Sequence, residues 1–339
     1  MVVPFAWRRF TARGVSGQAL ATMDAIDAER RSAQVARMSA TSAVLPVALI
    51  VLIGYFARRS AIVPASAWPG VEIFCYRVLF PAVMMISVYR ADLTWARVGP
   101  FGMALMATTG LGACLVFALK FALRLPNPRF TTMFQTVTRW NAFVGMALAT
   151  GLLGSKGIGL ISVGMAFLIP IINVVNVSIM AIWGSGRAHP LIIIKSILGN
   201  PLIQGCMAGL VLNLGAIALP APAAEAINMI GSAAIAVSLL IVGAGIQIDR
   251  LLSLSPELIL AVTSRLLLMP VIFWVIASYL GLSHDLMIAG ILVTAAPTAA
   301  NGYIVARQMG GDADLYADIL TWQTVLAVIT IPFVLSLLA

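Results

Sequence analysis

Charge is what this sequence has least of. Only 10% of its 339 residues are Asp, Glu, Lys or Arg and 61% are apolar, whereas a soluble domain is about a quarter charged. A water-soluble globule of this length is excluded, because too few polar side chains remain to cover its surface. Lipid is the expected solvent for most of the chain. Disorder, which needs a polar composition, is excluded as well. Histidine and cysteine are also scarce. There are two histidines, His189 and His284, and three cysteines, Cys75, Cys114 and Cys206. The cysteines lack CxxC spacing and each lies in an apolar run, so they read as packing residues, and no metal centre is expected. No GxxxxGK[ST] loop is present for nucleotide, and no cofactor is implied. The net charge of +9 comes from basic residues scattered in ones and twos. They form no aromatic-interleaved face, so nucleic acid is not an expected partner.

What is present is a series of apolar runs of about 20 residues, each long enough at about 1.5 Å per residue to cross a hydrocarbon layer about 30 Å thick. Ten can be placed, at 41–57, 71–89, 100–122, 131–152, 157–183, 190–213, 225–246, 256–280, 286–307 and 316–338. They must be helices, because the alternation of a membrane barrel is missing. Short loops rich in turn formers join them. Trp68, Trp95 and Trp183 fall near span ends, where an indole can sit in the interface. Residues 1–39 carry six arginines and no apolar run, and read as a polar basic tail.

Alternate loops differ in basic content. Those after odd spans hold Arg58, Arg59, Lys120, Arg124, Arg129, Arg187, Arg250 and Arg307, against Arg90, Arg97 and Lys156 after even spans. The positive-inside rule then puts both termini outside a cytoplasmic membrane. The arginines of the tail oppose that orientation, and a start of translation at Met38 would remove the conflict.

The chain also repeats itself. Pro46 and Gly54 in span 1 have the spacing of Pro201 and Gly209 in span 6, each pair followed by a proline, Pro64 or Pro220. Pro100 matches Pro256, and Asn141 in span 4 matches Asn301 in span 9. The order is kept at a nearly constant offset, which divides the chain into five-span units over 40–186 and 187–339. An odd number of spans forces the second unit to insert with opposite polarity, the inverted-repeat plan of secondary transporters.

Polar groups at bilayer depth are costly and mark candidate function. Span 4 contains Arg139, Asn141 and Gly145; span 9 contains Pro297, Thr298, Asn301 and Gly302. Pro297 removes a helix hydrogen bond and Gly302 relaxes the backbone, so span 9 should be broken, exposing N–H dipoles to an anion. The asparagine amides can contact a carboxylate or satisfy freed backbone. Arg139 is either the charge complement of an organic anion or a side chain snorkelling to the interface. Asn173, Asn176, Gln323 and Asp318 are further candidates for ion coupling or for support of the site, and Arg265 reads as a structural anchor.

The run from Ala296 to Asp312, with Thr330-Ile331-Pro332, Leu45-Pro46, Phe80-Pro81 and Asn200-Pro201, resembles the auxin efflux carrier family, notably its bacterial members. The resemblance extends from about residue 40 to the end. It implies an all-α fold of ten transmembrane helices in two inverted repeats, with broken helices 4 and 9 crossing, that moves organic anions by elevator-like alternating access. On that likeness Asn141, Asn301 and Pro297 belong to the crossing. Span 4 departs from the family pattern, because Gly145-Met146-Ala147 lacks the proline that usually breaks it, and this leaves the break in helix 4 open. Expected partners are a small organic anion and the bilayer, with a coupling cation and a second copy of the chain as further candidates. No enzyme is expected, since the nucleophile and base, paired aspartates or metal set of an intramembrane enzyme are missing.

Overall fold

A computed structural model gives the fold and describes residues 44–90, 95–184, 198–199 and 201–338. The basic tail and Met38, most of the loop after span 5 and the start of span 6 lie outside the described residues.

Every regular element among the described residues is helical. In chain order the α-helices are α1 (44–59), α2 (Trp68–Tyr89), α3 (Trp95–Ala122), α4 (Asn127–Thr138), α5 (Ala142–Leu153) and α6 (Ser155–Trp183). They continue as α7 (Pro201–Leu214), α8 (Ala221–Gly245), α9 (Pro256–Tyr279), α10 (His284–Ala295), α11 (Asn301–Met309) and α12 (Ala313–Leu338). Of these, α2, α3, α6, α8, α9 and α12 are long and apolar enough to cross a bilayer. Phe121, Val211, Ile329 and Phe333 are exposed on the outer faces, as lipid-facing side chains must be.

Helix starts follow local chemistry. Pro256 follows Ser255, whose hydroxyl accepts from the Leu258 N–H at 3.2 Å, an N-cap with proline at the first helical position. Pro220 likewise precedes α8. Pro100 lies inside α3 instead of opening it as Pro256 opens α9, so those two prolines are not at equivalent places in their helices.

Spans 4 and 9 are each two helices. α4 and α5 are separated by extended backbone at Arg139 (φ −78°, ψ 147°) and Asn141 (φ −84°, ψ 96°). α10 ends at Ala296, also extended, and α11 begins at Asn301. Two π-turns add an extra residue to long helices, Cys75–Leu79 in α2 and Ser264–Leu268 in α9. Each contains an arginine, Arg77 or Arg265, and such turns re-aim side chains.

The helices pack in two groups. α2 lies against α7 and α8. α1 joins this group where Gly54 meets the Leu240 backbone so closely that a Cβ would collide with it, and Gly209 of α7 does the same against Met85 of α2. Asn213 donates to the Tyr89 carbonyl at 2.7 Å and Arg58 to that of Ala244 at 2.6 Å, within the same group. The second group holds α3 to α6 and α9 to α12, tied by ion pairs such as Arg129 with Glu257 and Lys156 with Asp285. Between the groups the main contacts are α8 with α5, α2 with α6 and α6 with α7. The Phe80 and Phe143 rings stack there.

Some packing expectations change. Cys75 and Cys206 are buried, but Cys114 is exposed on α3 and does not serve the core. Trp68 is buried instead of resting at an interface.

Candidate functional site

The site begins with the two broken spans. Among apolar neighbours, interrupted backbone needs partners for its N–H and C=O groups, and the two interruptions supply them to each other. The Asn141 N–H donates to the Pro297 carbonyl at 2.7 Å, so the breaks cross in contact. The Asn141 side chain caps α5, its Oδ1 accepting from the N–H groups of Phe143 and Val144 at 3.1 and 3.3 Å.

Around the second break, the Thr298 N–H donates to Gln323 Oε1 at 2.8 Å, and the Gln323 amide donates to the Ala261 carbonyl at 3.2 Å. The Tyr316 hydroxyl donates to the Ala299 carbonyl at 2.7 Å and pairs with the Thr298 hydroxyl at 3.0 Å. A Cβ at residue 302 would strike that same hydroxyl, so glycine is required there by close approach.

The carbonyl ends of the first half-helices converge on Arg265. Its Nη1 donates to Val137 at the end of α4 at 3.0 Å, while Nη2 and Nε donate to Val293 and Ala296 at the end of α10 at 2.6 and 2.8 Å. The N-terminal ends of α5 and α11 lie on the other side, by a cavity of about 480 Å³ between the two helix groups. Ala142 and Phe143 of α5 line it, as do Ala299 and Ala300 just before α11. Helix N-termini carry partial positive charge and attract anions.

Two guanidinium groups add to this potential. Arg139, only 7% exposed, lines the cavity and donates to Asn173 Oδ1 at 3.0 Å. It does not snorkel. Arg77 reaches the cavity from the π-turn of α2, with Glu72 and Tyr76 on the same wall. Ser238, Ile241 and Val242 of α8 also line the cavity. Apolar walls with a few charged groups suit a small anion.

Residues 186–335 match the family described as membrane transport protein. Over 313 residues the chain is 24% identical to a Rhizobium meliloti (strain 1021) protein described as "Putative malonate transporter". That similarity covers 88% of this chain and 95% of the relative. Both similarities agree with the resemblance to auxin efflux carriers read from the sequence. They point to a multi-pass membrane transporter rather than an enzyme.

Of the residues singled out from sequence, the fold brings Arg139, Asn141 and Asn173 to the cavity wall. Pro297 and Thr298 form the second break behind it, and Gln323 supports that break from α12. Gly145 lies within α5, facing the Trp140 ring. Asn176 is buried on α6 and donates to the Thr138 hydroxyl at 3.1 Å, joining helices. Asp318 is outside the cavity lining and pairs with Arg250 at 2.8 Å. Asn301 opens α11, and its side chain lies outside the described residues.

Sequence reasoning missed Glu72, Tyr76, Arg77 and Ser238. Glu72 and Arg77 are ionisable residues near the start of an apolar run, the signal that intramembrane charge provides. Both lie within the apolar run read as span 2, and Arg77 falls in a π-turn that has no signature in composition.

Proposed function

We propose that this protein is a secondary carrier for small organic anions, carboxylates first among them, and that the anion binds between Arg139, Arg77, Asn141 and the N-terminal ends of α5 and α11. The observation that carries this reading is the crossing of the two breaks beside the cavity. It puts positive helix ends and two guanidinium groups on one side, and buries the negative ends against Arg265 on the other. Malonate, named in the description of the Rhizobium meliloti relative, is the first substrate to test.

On this reading α4–α5 and α10–α11 are spans 4 and 9 of a ten-helix protein built of two inverted units, 40–186 and 187–339. The packing supports that plan. Gly54 of α1 meets α8 as Gly209 of α7 meets α2, the exchange that two pseudo-equivalent units would make. Alternating access then takes the form of an elevator-like shift of the second helix group against the first. The location of the cavity at the narrow interface between the groups supports this. The carrier resides in the cytoplasmic membrane with both termini outside.

A proton-coupled symport on the same fold is the second reading. Glu72 favours it, as a titratable carboxyl group on the cavity wall. Uptake of labelled malonate into proteoliposomes, with and without sodium and pH gradients, tests both. Saturable uptake without either gradient supports a uniporting carrier, and uptake that requires a pH gradient supports coupling. Absence of uptake for malonate and every other carboxylate tried would refute the reading.

A further inference from the structure

We propose that Arg265 is the fixed cation of the crossing, a positioning residue whose charge takes up the negative ends of two half-helices and so holds the anion-binding backbone in place. The inference rests on the functional reading above. Arg265 is 2% exposed in the middle of α9. Among the described residues no carboxylate pairs with it, and all three of its hydrogen bonds go to backbone carbonyls. A buried guanidinium without a counter-anion is strongly unfavourable unless its surroundings carry compensating negative potential.

The three carbonyls supply it. Val137 lies in the last turn of α4, and Val293 lies in the last turn of α10 with Ala296 just after it. Each such helix end is equivalent to about −0.5 elementary charge, so two ends together match about one positive charge. In carriers with unwound helices, carbonyl ends of this kind can hold a mobile coupling cation. Here the chain's own guanidinium occupies that position. Its three bonds tie α9 to both breaks, and the two breaks are also joined by the Asn141–Pro297 bond. Removing the charge should therefore let α5 and α11 drift out of register, weakening anion binding at a cavity that Arg265 does not line.

The test compares purified wild type with Arg265→Lys and Arg265→Met. Two readouts are used: the rise in thermal midpoint caused by malonate, and the malonate concentration giving half-maximal uptake in proteoliposomes. The expected result is that Arg265→Lys keeps the malonate response, while Arg265→Met loses it and needs at least about tenfold more malonate. A purely structural anchor would lower the unliganded midpoint and leave the malonate response intact, so a wild-type response in Arg265→Met overturns the inference. Loss as complete in Arg265→Lys as in Arg265→Met does so too. If Arg265→Met yields no folded protein, recovery of folded Arg265→Lys supports the role of charge, and equal failure of both contradicts it. A wild-type protein that responds to no carboxylate refutes the functional reading alone, and the comparison of folded yields still tests Arg265.

Discussion

The backbone N–H of Asn141 and the carbonyl of Pro297 meet at 2.7 Å although the residues lie in different halves of the chain. That bond explains how span 4 is broken without a proline. The extended residues from Arg139 to Asn141 lose helical hydrogen bonds, and the second break replaces one of them while the Asn141 side chain caps α5. Asn141→Ala should cost about 1 kcal/mol in stability through loss of the cap. It should also reduce malonate uptake. Thermal unfolding and uptake assays on the same preparation check both effects, and unchanged uptake would remove Asn141 from the binding site.

Arg139 is the buried cation of the cavity. Replacing it with Gln keeps hydrogen-bonding capacity and removes charge. A charge-assisted hydrogen bond contributes about 1.5–3 kcal/mol, so half-maximal uptake should require roughly 10- to 100-fold more malonate. Arg77→Gln should act in the same direction with a smaller effect, because Arg77 is exposed. Transport kinetics at fixed ionic strength measure the two changes, and equal kinetics for Arg139→Gln and wild type would contradict the assignment.

Gln323 acts through the backbone. Gln323→Leu leaves the buried Thr298 N–H without its acceptor, at a cost of about 1–3 kcal/mol. Gln323→Glu retains an acceptor oxygen and should be the milder change. The order of their thermal midpoints, wild type above Glu above Leu, checks this. An undisturbed midpoint for Gln323→Leu would mean that the second break does not depend on α12.

Asp318 pairs with Arg250 outside the cavity. Asp318→Asn should therefore leave malonate uptake within about twofold of wild type, since a partly exposed ion pair contributes about 1 kcal/mol or less. Its response to a pH or sodium gradient should also match wild type. Loss of such a response in the variant would assign ion coupling to Asp318.

Much of this architecture was legible in the sequence, for reasons that differ by element. The long apolar runs forecast helices, and six of the described helices are long and apolar enough to cross a bilayer, because length and hydropathy are set by the bilayer. Pro297 announced the break in span 9, since a proline removes a hydrogen bond wherever it sits. The break in span 4 was not legible, because it depends on a partner 156 residues away. Arg139 and Asn173 stood out as polar groups in apolar surroundings. Arg77 did not, although it lines the same cavity from the π-turn of α2. Arg265 was recognised as an anchor, but its three carbonyl partners come from helices that only the folded chain brings together.

Electron cryo-microscopy of the protein in lipid nanodiscs with saturating malonate tests the central claim most directly. The account predicts ligand density in the cavity between Arg77 and Arg139, beside Asn141 and the N-terminal end of α5. Density at another place, or a span 4 helix that runs unbroken through Asn141, would contradict it.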